Sequence, residues 1–219
     1  MITFSSQIFN LSNQHLSVVL LCSSGVDSIA ASHYFINKFQ DTRSIALLHF
    51  NHNLRKQNIE MEYSFERFAR TTSVPFYIEN LECGDGTEDS CRQARLEYIK
   101  SYKDTIFITA HHLDDCVESY LLNCIRGKEG FLPIPFQTEV GTNFINRPFL
   151  LSRKQDLLEY THKHNLLSYI VEDETNIQVR GSRRNLLRNK IIPLLEEERV
   201  GLSTIVKKKI MERLNISCT

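Results

Sequence analysis

The segment Ser17-Val18-Val19-Leu20-Leu21-Cys22 carries no charge, and it stops at Ser23-Ser24-Gly25-Val26-Asp27-Ser28. Helical apolar spacing then runs over residues 29–39. This order reads as a strand that hands the chain to a helix through a tight, small-residue loop. Such a loop lets backbone N–H groups approach an anion, and the helix N-terminus adds partial positive charge. Residues 23–28 are therefore a candidate phosphate cradle. They do not form a Walker A sequence, because no Gly-Lys-Ser/Thr follows. Taken alone, they also fit an ordinary strand-to-helix connection.

The theme repeats along the chain. Residues 44–50, 74–78 and 105–109 read as further strands. Residues 58–71 carry helical spacing through Ile59, Met61, Phe65 and Phe68; residues 89–102 form a helix with Arg92, Arg95 and Tyr98 near one face; residues 114–126 form another. Alternation of this kind implies an α/β fold, a parallel sheet flanked by helices on both faces. Ligands on such sheets sit beyond the carboxyl ends of the strands. The residues there are 23–28, 49–55 and 111–115, all of them polar stretches. Further on, residues 127–143 read as one long functional loop, marked by Gly127, Gly130, Pro133, Pro135 and Gly141. Ser152-Arg153-Lys154-Gln155 reads as a capping box opening a helix to about His164. A last short strand is expected over 169–171 and a basic helical stretch from Arg180 to Glu198. Residues 202–214 suit an amphipathic basic helix. The chain thus divides into a catalytic unit over 1–146 and a basic extension over 147–219 that completes the site.

Charge supports that division. Lys+Arg and Asp+Glu both total 26. Residues 1–146 hold 12 basic against 17 acidic side chains, and residues 147–219 hold 14 against 9. An acidic front with a basic rear suggests a catalytic part and a part that grips a polyanion. A merely solvated basic surface is the plainer alternative. No apolar run is long enough to cross a bilayer, and the first fourteen residues lack a basic n-region, so an intracellular, cytoplasmic location without membrane contact is expected. The six cysteines form no Cys-x-x-Cys pair and suit neither a zinc knuckle nor an iron–sulfur site, which leaves reduced thiols, some of them buried.

The second chemically loaded segment is Thr109-Ala110-His111-His112-Leu113-Asp114-Asp115-Cys116-Val117-Glu118. A helix starting near His111 would put His111, Asp115 and Glu118 on one face. Such a trio could hold a divalent cation, orient an amine or move a proton. A capped helix N-terminus explains Asp114 and Asp115 but not the histidine pair.

Together these segments become specific. The loop at 23–28 resembles the SGGxDS pyrophosphate loop of the N-type ATP pyrophosphatases, with Ser24 where glycine is usual. His49-Phe50-Asn51-His52-Asn53-Leu54-Arg55, Cys91-Arg92-Gln93-Ala94-Arg95, the His111–Glu118 segment, Arg126-Gly127 and Arg147-Pro148-Phe149-Leu150 occur in the order and spacing of tRNA(Ile)-lysidine synthetases. Glu172-Asp173-x-x-Asn176, then Arg184-Asn185-x-x-Arg188 and Pro193, resemble that family's late motif.

The resemblance implies ATP and Mg²⁺ as cofactors, and tRNA and free L-lysine as partners. The implied reaction adenylates C2 of the wobble cytidine and then replaces AMP by the lysine ε-amine. It implies catalytic roles for Asp27, Arg92, His111, Asp115, Glu118 and Arg184. Nucleotide contacts fall to Ser23, Ser24, Gly25, Val26, Asp27, Ser28, His49 and His52, with Asp27 as metal ligand. Substrate contacts fall to Arg55, Arg95, Asp114, Asn176, Asn185 and Arg188. Three departures stand out: Ser24, Ser119 in place of a common threonine, and the absence of the larger C-terminal tRNA-binding domains of many members. Alternatives are a tRNA thiolase, a metal-dependent hydrolase using the His/Asp/Glu cluster, and a degenerate RNA-binding protein. The number of subunits stays open.

Overall fold

The computed structural model describes residues 1–5, 16–39, 44–52, 57–128, 134–172, 183–198 and 201–215. Six strands form one sheet in the order β3-β2-β1-β4-β6-β5. They are β1 (Ser17–Leu21), β2 (Ile45–Asn51), β3 (Phe76–Asn80), β4 (Thr105–Ile108), β5 (Gln137–Val140) and β6 (Asn143–Asn146). Every pairing is parallel except β5 with β6. The alternation of apolar strands and helices is thus realised as the expected flanked, mostly parallel sheet.

The strands are apolar on both sides because both sides are covered. Val18, Leu20, Ile106 and Ile108 face a core shared with α1 (Val26–Phe39), α2 (Gln57–Ala69) and α5 (Lys154–Lys163). Val19, Leu48 and Phe107 face the opposite way, toward α3 (Glu88–Lys100). Phe149, Leu157 and Leu166 enter the first core, so residues beyond 146 are packed into it. A third cluster joins α4 (Leu113–Ile125) to α8 (Leu202–Arg213) through Val117, Val206 and Ile210. Among the described residues no helix is long and apolar enough to cross a membrane.

Four local expectations are corrected. The stretch 127–143 is not a single loop. Its end is β5, which turns back through Gly141 (φ +64°) to pair with β6. Arg147 fastens that hairpin, donating to Pro135 O at 2.9 Å and Thr138 Oγ1 at 3.0 Å, while residues 129–133 lie outside the described residues. No strand forms at 169–171; residues Leu167–Tyr169 make a 3-10 turn. Arg153, not Ser152, caps α5: Asp156 accepts from Arg153 N at 2.8 Å, and the Ser152 hydroxyl is taken by the backbone of Thr3. The basic stretch is helical without a break from Arg183 to Glu197, but its pitch is not uniform. It is a single turn α6 (Arg183–Leu186), a π-helical segment over Leu187–Ile191, and α7 (Ile192–Glu197). Arg180 lies outside the described residues.

The π segment carries Arg188, which reaches across to α4. Its guanidinium grips Glu118 through Nε and, at 3.0 Å, through Nη2, and reaches Asp115 at 3.2 Å. The Glu118 side chain is 2% exposed and that of Arg188 25%. Removing one partner of so buried a pair leaves a stranded charge. Arg188→Met should cost about 2–3 kcal/mol, discounted for the partial exposure of the arginine. Adding Glu118→Gln should cost at least about 1 kcal/mol less than the two single effects together. Denaturant midpoints measure both, and simple additivity would overturn the coupling.

Candidate active site

The connection from β1 leads through α1 to β2 on one side, whereas β1's other neighbour, β4, is entered later from α3. Where connections diverge like this, the carboxyl ends leave a crevice. Here it is a cleft of about 1060 Å³, lined by the 23–28 loop, by His49 and His52, by Thr109 to His111, and by Asp115. Cys91, Arg95 and Lys154 also line it, and Met61, Leu158, Leu167, Ile170 and Val171 give it an apolar side.

The loop is built around one strained residue. Ser24 has φ +64°, a left-handed conformation that glycine adopts freely and serine does not. It is fully buried, its hydroxyl donates to Met61 O at 2.7 Å, and its carbonyl accepts from Val171 N at 2.9 Å. The serine thus trades backbone strain for a tie to α2. Ser28 Oγ closes the loop, accepting from Ser23 N at 3.1 Å and donating to Gly25 O at 3.0 Å. A Cβ on Gly25 would meet only Ser23 Oγ, at 3.6 Å, which is ordinary contact. The fold itself does not demand glycine there; open space in the cleft is what it preserves.

Asp27 opens α1, and its Oδ1 is buried without a hydrogen-bond partner. Its Oδ2 lies 3.5 Å from His112 Nε2. His112, 3% exposed, also stands 3.6 Å from both Asp114 and Asp115. This histidine was not among the residues singled out from the sequence, where the pattern offered His111 instead. The helix begins at Leu113, two residues later than the one-face arrangement of His111, Asp115 and Glu118 requires. His111 therefore leaves the helix face and pairs with Thr109 Oγ1 at 2.8 Å. Asp115 serves twice: Oδ2 accepts from His112 N at 3.1 Å, capping α4, and Oδ1 receives Arg188. Burial opposes the charge on Arg188, but Glu118 and Asp115 outweigh it and hold the guanidinium ionised.

The remaining expected residues fall as follows. Asp114 accepts from Lys154 N at 2.7 Å and faces Arg153 at 3.3 Å. Arg184 bridges Glu88 at 3.1 Å and Glu118 at 3.5 Å. Arg92 is exposed on α3 and lies outside the cleft lining. Arg95 lines the cleft, and Val26 and Ser28 do so beside the loop. His49 is 3% exposed; its Nδ1 donates to Cys22 O at 2.8 Å and its ring stacks on Phe65. Asn185 is half-buried beside Arg184. Arg55 and Asn176 lie outside the described residues. The cysteines among the described residues are free thiols, four of them buried, as expected, and Cys83 and Cys91, eight residues apart, converge with His52.

A PP-loop domain profile matches residues 2–195. The chain belongs to the PP-loop family. Among curated relatives it is similar to the tRNA(Ile)-lysidine synthases of Staphylococcus epidermidis, 28% identical over 82% of this chain and 44% of the relative, and of Francisella philomiragia, 28% over 93% and 51%. That of Coxiella burnetii is 31% identical over 79% and 40%. The chain thus spans about half, or less, of the length of these relatives. A U34-tRNA thiolase of Methanococcus maripaludis superposes with a TM-score of 0.70 at 13% identity, covering 91% of this chain and 72% of that one. At that identity the likeness is one of fold.

Two predictions follow from this geometry. Ser24→Ala keeps the left-handed strain and loses the hydroxyl, so it should cost about 1–2 kcal/mol. In Ser24→Gly the relief of strain, about 1 kcal/mol, should offset the lost bond, leaving the unfolding midpoint near wild type and nucleotide affinity equal or tighter. Equal destabilisation by both would refute the strain argument. Secondly, the neighbouring histidines should titrate in opposite directions. Burial, helped by Arg147, His112 and Arg184, pushes His111 down to about 4. Burial also opposes charge on His112, but Asp115, Asp27 and Asp114 outweigh it and raise its value. The stability owed to His112 is then present below about pH 6.5 and lost as pH rises through its folded value, while that owed to neutral His111 is lost as pH falls from about 6.5 to about 4. Nitrogen-resolved NMR titration of the two imidazoles reads this directly; coincident transitions near 6.5 would contradict it.

Proposed function

We propose that this chain is a tRNA-modifying ligase of the lysidine type. It activates C2 of a wobble cytidine with ATP, releasing pyrophosphate, and then joins lysine to that carbon. The observation that carries the reading is the run Asp27–His112–Asp115–Arg188–Glu118, which links the PP-loop directly to a buried acidic pair across the mouths of β1 and β4.

Ser23, Gly25 and Ser28 would receive the phosphates, with the α1 N-terminus adding its partial charge. The apolar side formed by Met61, Leu167, Ile170 and Val171 suits a base. The unpartnered Asp27 Oδ1 fits a Mg²⁺ ligand, an oxygen anion facing the phosphate position. When bound, Mg²⁺ would neutralise charge on the departing pyrophosphate. His112 holds Asp27 from behind. Arg184 and Arg188, held on Glu118 and Asp115, would bring positive charge to the acidic end of the site from the rear of the chain.

The pairing of Arg188 refines what Asp115 and Glu118 would do. A free amino acid carries an ammonium and a carboxylate. Together, the acidic pair and Arg188 offer both complements in one place. The ε-amine must attack uncharged, and His111, neutral at working pH, is the base within the same cleft that can take its proton as the new C–N bond forms and AMP leaves. Arg92, Arg95, Asp114 and Asn185 are proposed as outer contacts to RNA or intermediate, with Lys207 to Lys209 on α8 beyond them.

Incubation of the chain with ATP, Mg²⁺, radiolabelled lysine and bulk tRNA tests this. Label should enter RNA in a base-stable linkage with release of pyrophosphate. Asp27→Asn should cut pyrophosphate release at least about 100-fold with circular dichroism unchanged, since removing charge stabilisation of a leaving group costs on the order of 3 kcal/mol of barrier. Nucleotide hydrolysis without label in RNA, or full activity in Asp27→Asn, would overturn the proposal.

A further inference from the structure

Outside the polar run just described, one other cluster of chemically capable side chains opens on the cleft. His52 follows the end of β2, Cys83 lies after β3, and Cys91 sits in the first turn of α3. Their ligand atoms all lie within 4.8 Å of one another, with His52 Nδ1 3.0 Å from Cys83 Sγ. Cys83 and Cys91 are 4% and 8% exposed. We propose that His52, Cys83 and Cys91 form a mononuclear zinc site with three protein ligands and a fourth position open to the cleft.

The donor set argues for the ion. Two sulfurs and an imidazole nitrogen are the soft-to-borderline donors that zinc prefers over magnesium or calcium. Tetrahedral zinc holds its sulfur ligands about 3.8 Å apart and a nitrogen about 3.5 Å from a sulfur, so no pair need move by more than about 1 Å, and His52 and Cys83 need only open by about 0.5 Å. A cubane iron–sulfur cluster spreads its ligands more widely than this spacing allows. The cysteines come together because the connecting segment turns back on itself. Gly84 and Gly86 have φ +45° and +72°, Gly86 N donates to Cys83 O at 2.6 Å, and Ser90 Oγ donates to the same carbonyl at 2.7 Å. Thr87 then caps α3 by accepting from Ser90 N, which fixes Cys91 in the first turn. Cysteines packed only for volume beside Leu81 would need no imidazole between them and the cleft.

Three protein ligands with an open fourth position are the arrangement of zinc sites that take water or a substrate atom. His52 and Cys91 line the cleft, so the open side faces its contents. Arg95 lies close enough for its charge to act on both thiols. Its positive charge favours thiolates and an anionic oxygen in the fourth position. Zinc binding would release two protons, one from each thiol.

The proposal needs neither ATP nor tRNA for its test, so it stands or falls apart from the ligase reading. The full chain, reduced and stripped with chelator, is titrated with Co²⁺ and then with Zn²⁺. One equivalent of Co²⁺ should produce the thiolate charge-transfer band and intense visible bands of a tetrahedral site, and one equivalent of Zn²⁺ should abolish them. Cys83→Ser and Cys91→Ser should each weaken Co²⁺ binding at least 100-fold with unchanged circular dichroism, and Cys124→Ser, an exposed thiol, should leave it intact. Should either serine variant fail to fold, alkylation of the wild type mapped by mass spectrometry decides: Zn²⁺ should protect Cys83 and Cys91 but not Cys124. A pale octahedral spectrum without a sulfur band, unchanged alkylation, or labile sulfide and iron bound at these cysteines would each overturn the zinc site.

Discussion

Everything at the site depends on one constraint, the reversal of strand order about β1. The chain winds from β1 to β2 to β3 in one direction, then crosses the sheet on α3 and resumes at β4 on the other side of β1. A parallel sheet must carry each connection over a face, and connections leaving β1 and β4 in opposite directions cannot fill the space between them. The PP-loop occupies one wall of that gap and the His111–Glu118 segment the other. Neither segment has any sequence proximity to the other; the reversal alone makes them neighbours.

Across the gap, charge is arranged as a chain rather than as isolated pairs. Asp27 leans on His112, His112 on Asp114 and Asp115, and Asp115 and Glu118 on Arg188. Asp115 is central because one of its oxygens caps α4 while the other receives the arginine. Helix geometry, electrostatics and the placement of residues after 183 thus share one carboxylate. Coupling of this kind makes buried polar groups costly to change singly, and it explains why two adjacent histidines, in surroundings a few ångströms apart, are shifted in opposite directions.

Much was legible in the sequence because periodicity reports burial. The apolar runs at 17–22 and 105–108 and the spacing of Phe65 and Phe68 lead to the flanked parallel sheet. The loop residues 23–28 stand out because small residues between a strand and a helix have few other uses. The errors were of register and local competition. Asp115 fits a capping box as well as a catalytic face, and only the choice of Leu113 as the first helical residue separates His111 from it. The hairpin of β5 and β6 was hidden because Gly and Pro dominate residues 127–135, and its strands are short. The π segment at Leu187–Ile191 has no sequence signature, since one extra residue per turn leaves composition untouched.

The sequence by itself determined the class of fold, the position of the small-residue loop between β1 and α1 and the inventory of reactive groups, because strand and helix periods and small-residue turns are local properties. It also marked Ser24 as a departure, and the left-handed backbone there shows why glycine is usual at such a place. Only the tertiary structure decided the partnerships. Arg188 with Glu118, His112 with Asp27, and His52 with Cys83 and Cys91 are separated by 70, 85 and up to 39 residues, and nothing in the spacing of either partner encodes the other. Such contacts are set by where the sheet reverses and at what angle helices leave it, which are consequences of packing the whole chain at once.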